Sequence, residues 1–222
     1  MAQAAQGTEL QLGDGSSPEQ FTRVAAVHSL TGPSLSGETF DRTELDDTWR
    51  KRRPTILDGG EVTAEIHFDP DLATHDDLET ALTGKSLDTW RVCFPDFSTD
   101  LTFTADAGTD TLTTASDHDY NTGQPVQVST TGTLPAGLST GTTYYARRTG
   151  TDTLTLHPTS ADAVADTNTV DITDTGTGTH TISRGEEWAF DAYVTGFEPA
   201  ASVGDGLGAS VTLSIDGQVS IS

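Results

Sequence analysis

The sequence predicts a mainly β chain in which one β-domain with a single short α-helix is interrupted by a second, smaller all-β domain. Three observations point there. Val, Leu, Phe and Tyr alternate with Thr along much of the chain, which is the period of half-buried strands. The composition changes near Phe97 and again near Ser183, and Lys and Glu are absent between them. Within that stretch the hexapeptide GTDTLT occurs at residues 108–113 and 150–155, each time placing a Gly-Thr-Asp turn before a strand.

In chain order, residues 1–20 are rich in Ala, Gln, Gly and Ser and contain the turn GDGSSPE. They are expected to form an N-terminal arm or frayed end. Strand patterning begins with FTRVAAVHSL at residues 21–30. Residues 31–60 then show little periodicity, and a stretch this long in a compact domain is usually a functional loop or an interaction arm. It holds the densest positive charge, five of the eleven Lys and Arg residues: Arg42, Arg50, Lys51, Arg52 and Arg53. EVTAEIHFDP, residues 61–70, is the clearest amphipathic strand, with Val62, Ala64, Ile66 and Phe68 opposing Glu61, Thr63, Glu65 and His67. THDDLETALTG predicts a helix over residues 75–83, with Thr74 as N-cap, Asp76, Asp77 and Glu79 in the first turn, and Gly84 at the end. Leu78, Ala81 and Leu82 would share its buried face. LDTWRVCFPD, residues 87–96, is the next strand, stopped by Pro95.

Residues 98–183 read as an inserted domain with its own set of strands. After it, EEWAFDAYVTGF resumes the earlier style, with Trp188, Phe190, Ala192 and Val194 opposing Ala189, Asp191, Tyr193 and Thr195. Val211, Leu213 and Ile215 form a last alternating strand before the Asp216-Gly217 turn. The host domain is therefore expected over 21–97 and 184–222. If the insertion replaces a hairpin loop, WRVCFPD and EEWAFDAYVTGF are neighbouring strands.

The 222 residues carry 34 acids against 11 Lys plus Arg, a formal charge of -23, with only two lysines, Lys51 and Lys85. A chain this acidic is not an ordinary nucleic-acid reader, because such binding begins with cations displacing counterions. No apolar run approaches the roughly 20 residues of a spanning helix. MAQAAQGTEL has neither a basic stretch nor an apolar core, so no secretory signal is expected. Cys93, the one cysteine, excludes an intramolecular disulfide framework. The strand alternation argues against disorder, and the acidity is read as adaptation to concentrated salt, where the Debye length falls to about 3 Å and carboxylate repulsion is screened.

No pattern for catalysis or for a cofactor is present: there is no GxSxG elbow, HExxH, CxxC, P-loop or GxGxxG following a strand. Neither a catalytic residue nor a metal site is assigned. HDD at 75–77 is read as helix capping, and SDHDYN at 116–121 as a solvated turn that does not match a calcium loop. Cys93 is read as a buried structural thiol, and Trp90 and Trp188 as packing residues. RKRRP, residues 50–54, is the one concentrated basic patch, and pairing with acidic surface on a second copy is favoured over nucleic acid.

The parts outside the insertion resemble the major tail tube protein of long-tailed, non-contractile phages and related archaeal viruses. The resemblance rests on LTGPSLSGETFDRTELDDTWR at 30–50, ILDGGEVTAEIHFDP at 56–70, the short helix, WRVCFPD at 90–96, WAFDAYVTGFEP at 188–199 and the final LSIDGQVSIS, in that order. The insertion separately resembles small Thr- and Gly-rich β-modules of phage structural proteins, through STTGTLPAGLSTGTTYY at 129–145. The resemblance implies a β-sandwich or barrel-like fold with one flanking helix. It also implies assembly into six-membered rings stacked as a tube in the virion tail, built in the host cytoplasm, with other tail proteins at the tube ends. Viral DNA would pass through the lumen without specific binding. By the same resemblance, residues 31–60 reach the neighbouring ring, with Asp41 and Thr43 as the family's Asp-x-Thr element and Arg42, Arg50, Lys51, Arg52 and Arg53 beside them. Glu61, Glu65 and Asp191 are candidate lumen-facing acids, and the insertion would project outward. The alternative from another class is an extracellular adhesin or surface-layer module that binds glycan or protein.

Overall fold

The computed structural model describes residues 5–201 and 206–222. In order, its strands and helices are β1 (Glu9–Gly13), β2 (Phe21–Arg23), β3 (Val27–Thr31), β4 (Ser36–Asp41), β5 (Arg52–Asp58), β6 (Glu61–His67), α1 (Ala73–Gly84), β7 (Leu87–Cys93), β8 (Thr99–Asp106), β9 (Thr111–Thr114), β10 (Gln124–Thr130), β11 (Thr143–Arg148), β12 (Thr153–His157), α2 (Ser160–Ala165), β13 (His180–Arg184), β14 (Glu187–Ala201), β15 (Leu207–Ile215) and β16 (Ser220–Ile221). The chain is mainly β, as expected. It divides into two compact units, one of Met1–Val24, Thr89–Ala189 and Ile221–Ser222, the other of Ala25–Asp88 and Phe190–Ser220.

The centre of the first unit is a closed barrel in the order β10-β11-β12-β9-β8-β13. Closure pairs every strand on both sides and leaves no edge for stray pairing. The two GTDTLT copies supply β9 and β12, which pair with each other antiparallel, so that Leu112 lies opposite Leu154 and both are fully buried. Around them pack Phe103, Tyr120, Val126, Val128, Tyr144, Leu156 and Ile182. These apolar residues of the Thr-rich pattern point inward, and the barrel is filled by side chains.

Helix α2 is a second helix where the sequence predicts one. Its signal is Thr-Ser-Ala-Asp at 159–162: the Thr159 hydroxyl accepts the Asp162 N–H at 3.1 Å, a short N-cap. At the other end Arg147 Nη1 donates to the carbonyls of Ala163 (2.8 Å) and Val164 (3.1 Å), which have no partner within the helix.

The same unit corrects the expectation of a frayed N-terminus. Residues 1–4 lie outside the described residues, but Glu9–Gly13 is strand β1, paired with β2 on one side and β7 on the other, and Leu10 is buried. Alternation over so short a run is masked by Glu9 and Gln11, both of which are buried and hydrogen-bonded. FTRVAAVHSL is also not one strand. It breaks at Ala26, whose φ of 57° is left-handed, into β2 and β3. The barrel presses on β2 at Gly123, where φ is +87° and an added Cβ would stand 1.8 Å from the Phe21 carbonyl oxygen. Only glycine fits there.

In the second unit β14, β15, β6 and β3 form an antiparallel run of strands. One face buries Val62, Ala64, Ile66, Ala192, Val194, Val211 and Leu213. The predicted helix exists but starts earlier, at Ala73, with Leu72 at the N-cap position and no side-chain cap. Thr74 instead accepts the Ala25 N–H at 3.3 Å. His75 is not part of an exposed capping group either. It is fully buried, and its ring bridges the Asp69 backbone and the Ala25 carbonyl (Nε2 to O, 3.0 Å). Leu78 and Ala81 are buried beside it, while Leu82 is half-buried.

Candidate assembly surfaces

Residues 31–60 contain two strands rather than an irregular loop. β4 and β5 pair as a separate two-stranded sheet, with Asp41 opposite Arg52 and Phe40 opposite Arg53. The periodicity is hard to see because both faces are exposed at every position of both strands, so there is no inside to which an alternation could refer. A bulge between Gly37 and Thr39 breaks the register as well.

The tip is ordered by short polar contacts. The Asp41 carboxylate accepts the Thr43 N–H (2.9 Å) and the Thr43 hydroxyl (2.6 Å), and that hydroxyl accepts the Lys51 N–H (3.0 Å). These Thr43 hydrogen bonds, helped by Arg50 and Arg52, hold the Asp41 carboxyl below its ordinary range. Lys51 pairs with Asp47. Among the described residues, Arg42, Arg50, Arg52 and Arg53 are in none of the ion pairs.

The same hairpin displays Phe40, Leu45, Trp49, Ile56 and Leu57, from 63% exposed at Phe40 to 110% at Leu45. A two-stranded hairpin with no buried face is marginal in water, and large apolar side chains gathered in one place mark an interaction surface. The structure therefore brings together all seven sequence-predicted contact residues, Asp41, Arg42, Thr43, Arg50, Lys51, Arg52 and Arg53. It adds an apolar set that sequence reading passed over because TELDDTW looks polar on average.

The second surface is the solvent face of the β14-β15-β6-β3 sheet. Its rows run Tyr193–Ser214–Glu61, Thr212–Thr63–Thr31 and Glu198–Ser210–Glu65–Ser29. Asp191 is exposed two residues before Tyr193 on β14, so Glu61, Glu65 and Asp191 share one face. Strict alternation from Asp191 would turn Glu198 inward. The bulge at Val194/Gly196 shifts the parity by one and places it on the acidic face. Gly196 inside a strand pattern was the available signal. None of these four strands carries a Lys or Arg.

A third group was not foreseen from sequence. In the first unit Arg91, fully buried, donates from Nε to Gln11 Oε1 (2.7 Å) and from Nη1 to Glu187 Oε2 (3.2 Å), and its guanidinium stacks 3.9 Å from the Phe21 ring centroid. Its Nη2 has no hydrogen-bond partner among the described residues. Beside it burial pushes the Cys93 thiol up to about 12, against the opposing pull of Arg91, which makes it a poor nucleophile at neutral pH.

SDHDYN, expected as a solvated turn, is partly core: His118 and Tyr120 are buried. His118 Nδ1 accepts the Tyr120 N–H (2.9 Å), so the Nε2–H donates to the Thr153 carbonyl (3.2 Å). Burial lowers the pKa of this imidazole below 6.5. The neutral form belongs to the folded state, so its contribution is present at neutral pH and fades as pH falls below 6.5 and the unfolded chain takes up the proton. Thermal unfolding followed by circular dichroism is expected to show a falling melting temperature between pH 7.5 and 5.5, with a shallower slope in His118→Gln. No group of three or more His, Cys, Asp or Glu suited to a metal ion occurs among the described residues.

The described residues thus present an exposed hairpin and a polar-faced sheet. Comparison of the whole sequence, residues 1–222, with family models matches the phage tail tube family of the lambda-like type. The chain belongs to the lambda-like phage tail tube family. Its role is structural, as a tail tube protein of a virion. Comparison with curated proteins finds no match. Among solved structures, this tail tube protein is similar to a chain from the tail of an empty gene transfer agent particle, reconstructed with helical refinement and C6 symmetry. The TM-score there is 0.52 at 12% identity, over 100% of this chain and 99% of the other. A chain of the native gene transfer agent virion gives 0.50 at 12% identity, over 100% and 99%. At these identities the likeness is one of fold.

Proposed function

We propose that this tail tube protein assembles into six-membered rings stacked head to tail, with the hairpin of 31–60 as the contact between rings. The observation that carries this reading is the hairpin itself. Five large apolar side chains, and four arginines that are in no ion pair among the described residues, stand on a hairpin that has no core of its own. A heterologous contact of this kind propagates as a filament, and the partner that fits the cations is acidic surface on a second copy, abundant in a chain of charge -23.

The cation-free sheet face is assigned to the lumen. Glu61, Glu65, Asp191 and Glu198 line it, and viral DNA passing over such a wall meets repulsion instead of the phosphate-binding cations that would hold it. The barrel, the insertion of residues 98–183 in this reading, lies on the outside, and other tail proteins cap the tube ends. Assembly takes place in the host cytoplasm, and the protein carries no catalytic role.

Changing the wall tests the assignment. Tubes of Glu61→Lys/Glu65→Lys protein, assembled in high salt and cross-linked before dilution, should retain short duplex DNA at low salt in a filter-retention assay, while wild-type tubes treated alike retain none. Equal retention would place the face elsewhere. Salt tests the reading of the acidity: melting temperature and tube yield should both rise from millimolar to molar NaCl, as the Debye length shrinks from about 30 Å at 0.01 M to about 3 Å. Assembly and stability independent of salt would remove that reading.

A further inference from the structure

Six buried polar side chains of the first unit form one connected network between the N-terminal strand and the barrel. β1 supplies Glu9 and Gln11, β7 Arg91, β10 Gln124, β11 Tyr145 and the start of β14 Glu187, none more than 7% exposed. Gln11 Nε2 donates to Glu9 Oε2 (2.8 Å) and to the Gly123 carbonyl (3.0 Å). The Tyr145 hydroxyl donates to Glu9 Oε1, and Gln124 Nε2 donates to Glu187 Oε2 (2.8 Å), the oxygen that also takes Arg91. Each buried carboxylate therefore has one of its donors on the barrel.

The backbone repeats the pattern. The Phe21 N–H donates to the Thr122 carbonyl (3.0 Å), the Arg23 N–H to the Ser160 hydroxyl (2.9 Å), and Gly123 lies where no side chain fits against Phe21. Remove the barrel and, among the described residues, the Glu9 carboxylate keeps Gln11 and a distant Arg23 (3.7 Å), while the Glu187 carboxylate keeps Arg91. A carboxylate buried without its donors is strongly unfavourable.

We propose that this network makes the seating of β1 conditional on a folded barrel. The β2-β1-β7 sheet is complete only in a chain whose inserted module has already closed, and a misfolded insertion leaves β1 in water. The inserted barrel is then an integral support of the N-terminal strand, and the interruption of the host sequence acts as a folding check. The inference concerns the single chain and holds or fails whether or not rings form.

Amide hydrogen exchange on the monomeric protein at rising urea is the test. In the wild type, residues 9–12 and the barrel strands β9 and β12 are expected to exchange through the same opening, with the same urea dependence. In Tyr145→Phe/Gln124→Leu, which removes the two barrel donors and keeps the apolar volume, residues 9–12 should exchange at least about tenfold faster than wild type, the scale of a lost charge-assisted hydrogen bond. β9 and β12 should keep their protection. Two results overturn the proposal: β1 opening by itself in the wild type, with a shallower urea dependence than the barrel, or unchanged exchange of residues 9–12 in the variant. The wild-type measurement needs no substitution and decides alone if the variant misfolds.

Discussion

Arg52→Glu/Arg53→Glu protein should be found as a folded monomer that forms no tubes at any concentration where the wild type does. Both side chains stand exposed on β5, opposite Asp41 and Phe40, and neither is in an ion pair among the described residues. The substitutions therefore remove little from the chain's own stability, and surface changes of this kind are usually within about 0.5 kcal/mol. At the proposed contact between rings the effect is of another order. Two cations facing acidic surface become two carboxylates, and like-charge juxtaposition across an interface costs several kcal/mol. Sedimentation and negative-stain microscopy read the loss, and an unchanged circular dichroism spectrum shows that the fold survives. Trp49→Ala, 84% exposed in the single chain, should weaken assembly without altering charge, because exposed aromatic side chains become anchors once buried. Normal tubes from both variants would take the hairpin out of the interface.

Arg91→Met should be the most destabilising single change in the first unit, by about 3–5 kcal/mol, the usual cost of leaving one member of a buried ion pair uncompensated. The guanidinium is fully buried, so solvent does not replace it for Glu187, and Gln11 loses its donor as well. The double variant Arg91→Met/Glu187→Gln should recover most of the loss, since a neutral amide can still face Gln124 without a stranded charge. Urea unfolding of the three proteins measures this directly. A loss below about 1 kcal/mol in Arg91→Met, the range of exposed pairs, would mean that the pair is solvated in solution.

Much of this architecture can be read from the order of residues, for a specific reason. Where one face is buried and the other wet, as in β6, the sequence alternates, and Val62, Ala64 and Ile66 are indeed the core. The Thr-rich barrel announces itself by single apolar residues between hydroxyls and by the repeated hexapeptide. Glu61, Glu65 and Asp191 follow from the same parity. What stays hidden is structure that does not partition apolar from polar. β4 and β5 have no buried face, so no period exists to detect. β1 buries Glu9 and Gln11 alongside Leu10, and the partners that make those polar groups tolerable, Tyr145 and Gly123, are more than a hundred residues away in the chain. In the same way His75 reaches the Ala25 carbonyl and His118 the Thr153 carbonyl, each far off in the chain. Glu198 is concealed by a bulge, since one extra residue reverses the faces downstream of Val194. Long-range polar pairing and register shifts are tertiary facts, and local pattern does not encode them.

The central claim is that one chain builds a tube, with its exposed hairpin as the joint and its cation-free sheet as the wall. Cryo-electron microscopy of the purified protein in high salt tests it most directly. The expected image is a hollow tube of stacked six-membered rings, with residues 31–60 of each subunit buried against the next ring and Glu61, Glu65, Asp191 and Glu198 facing the channel. Monomers at every salt and protein concentration would contradict the account, as would tubes in which the hairpin remains in solvent and the barrel lines the bore.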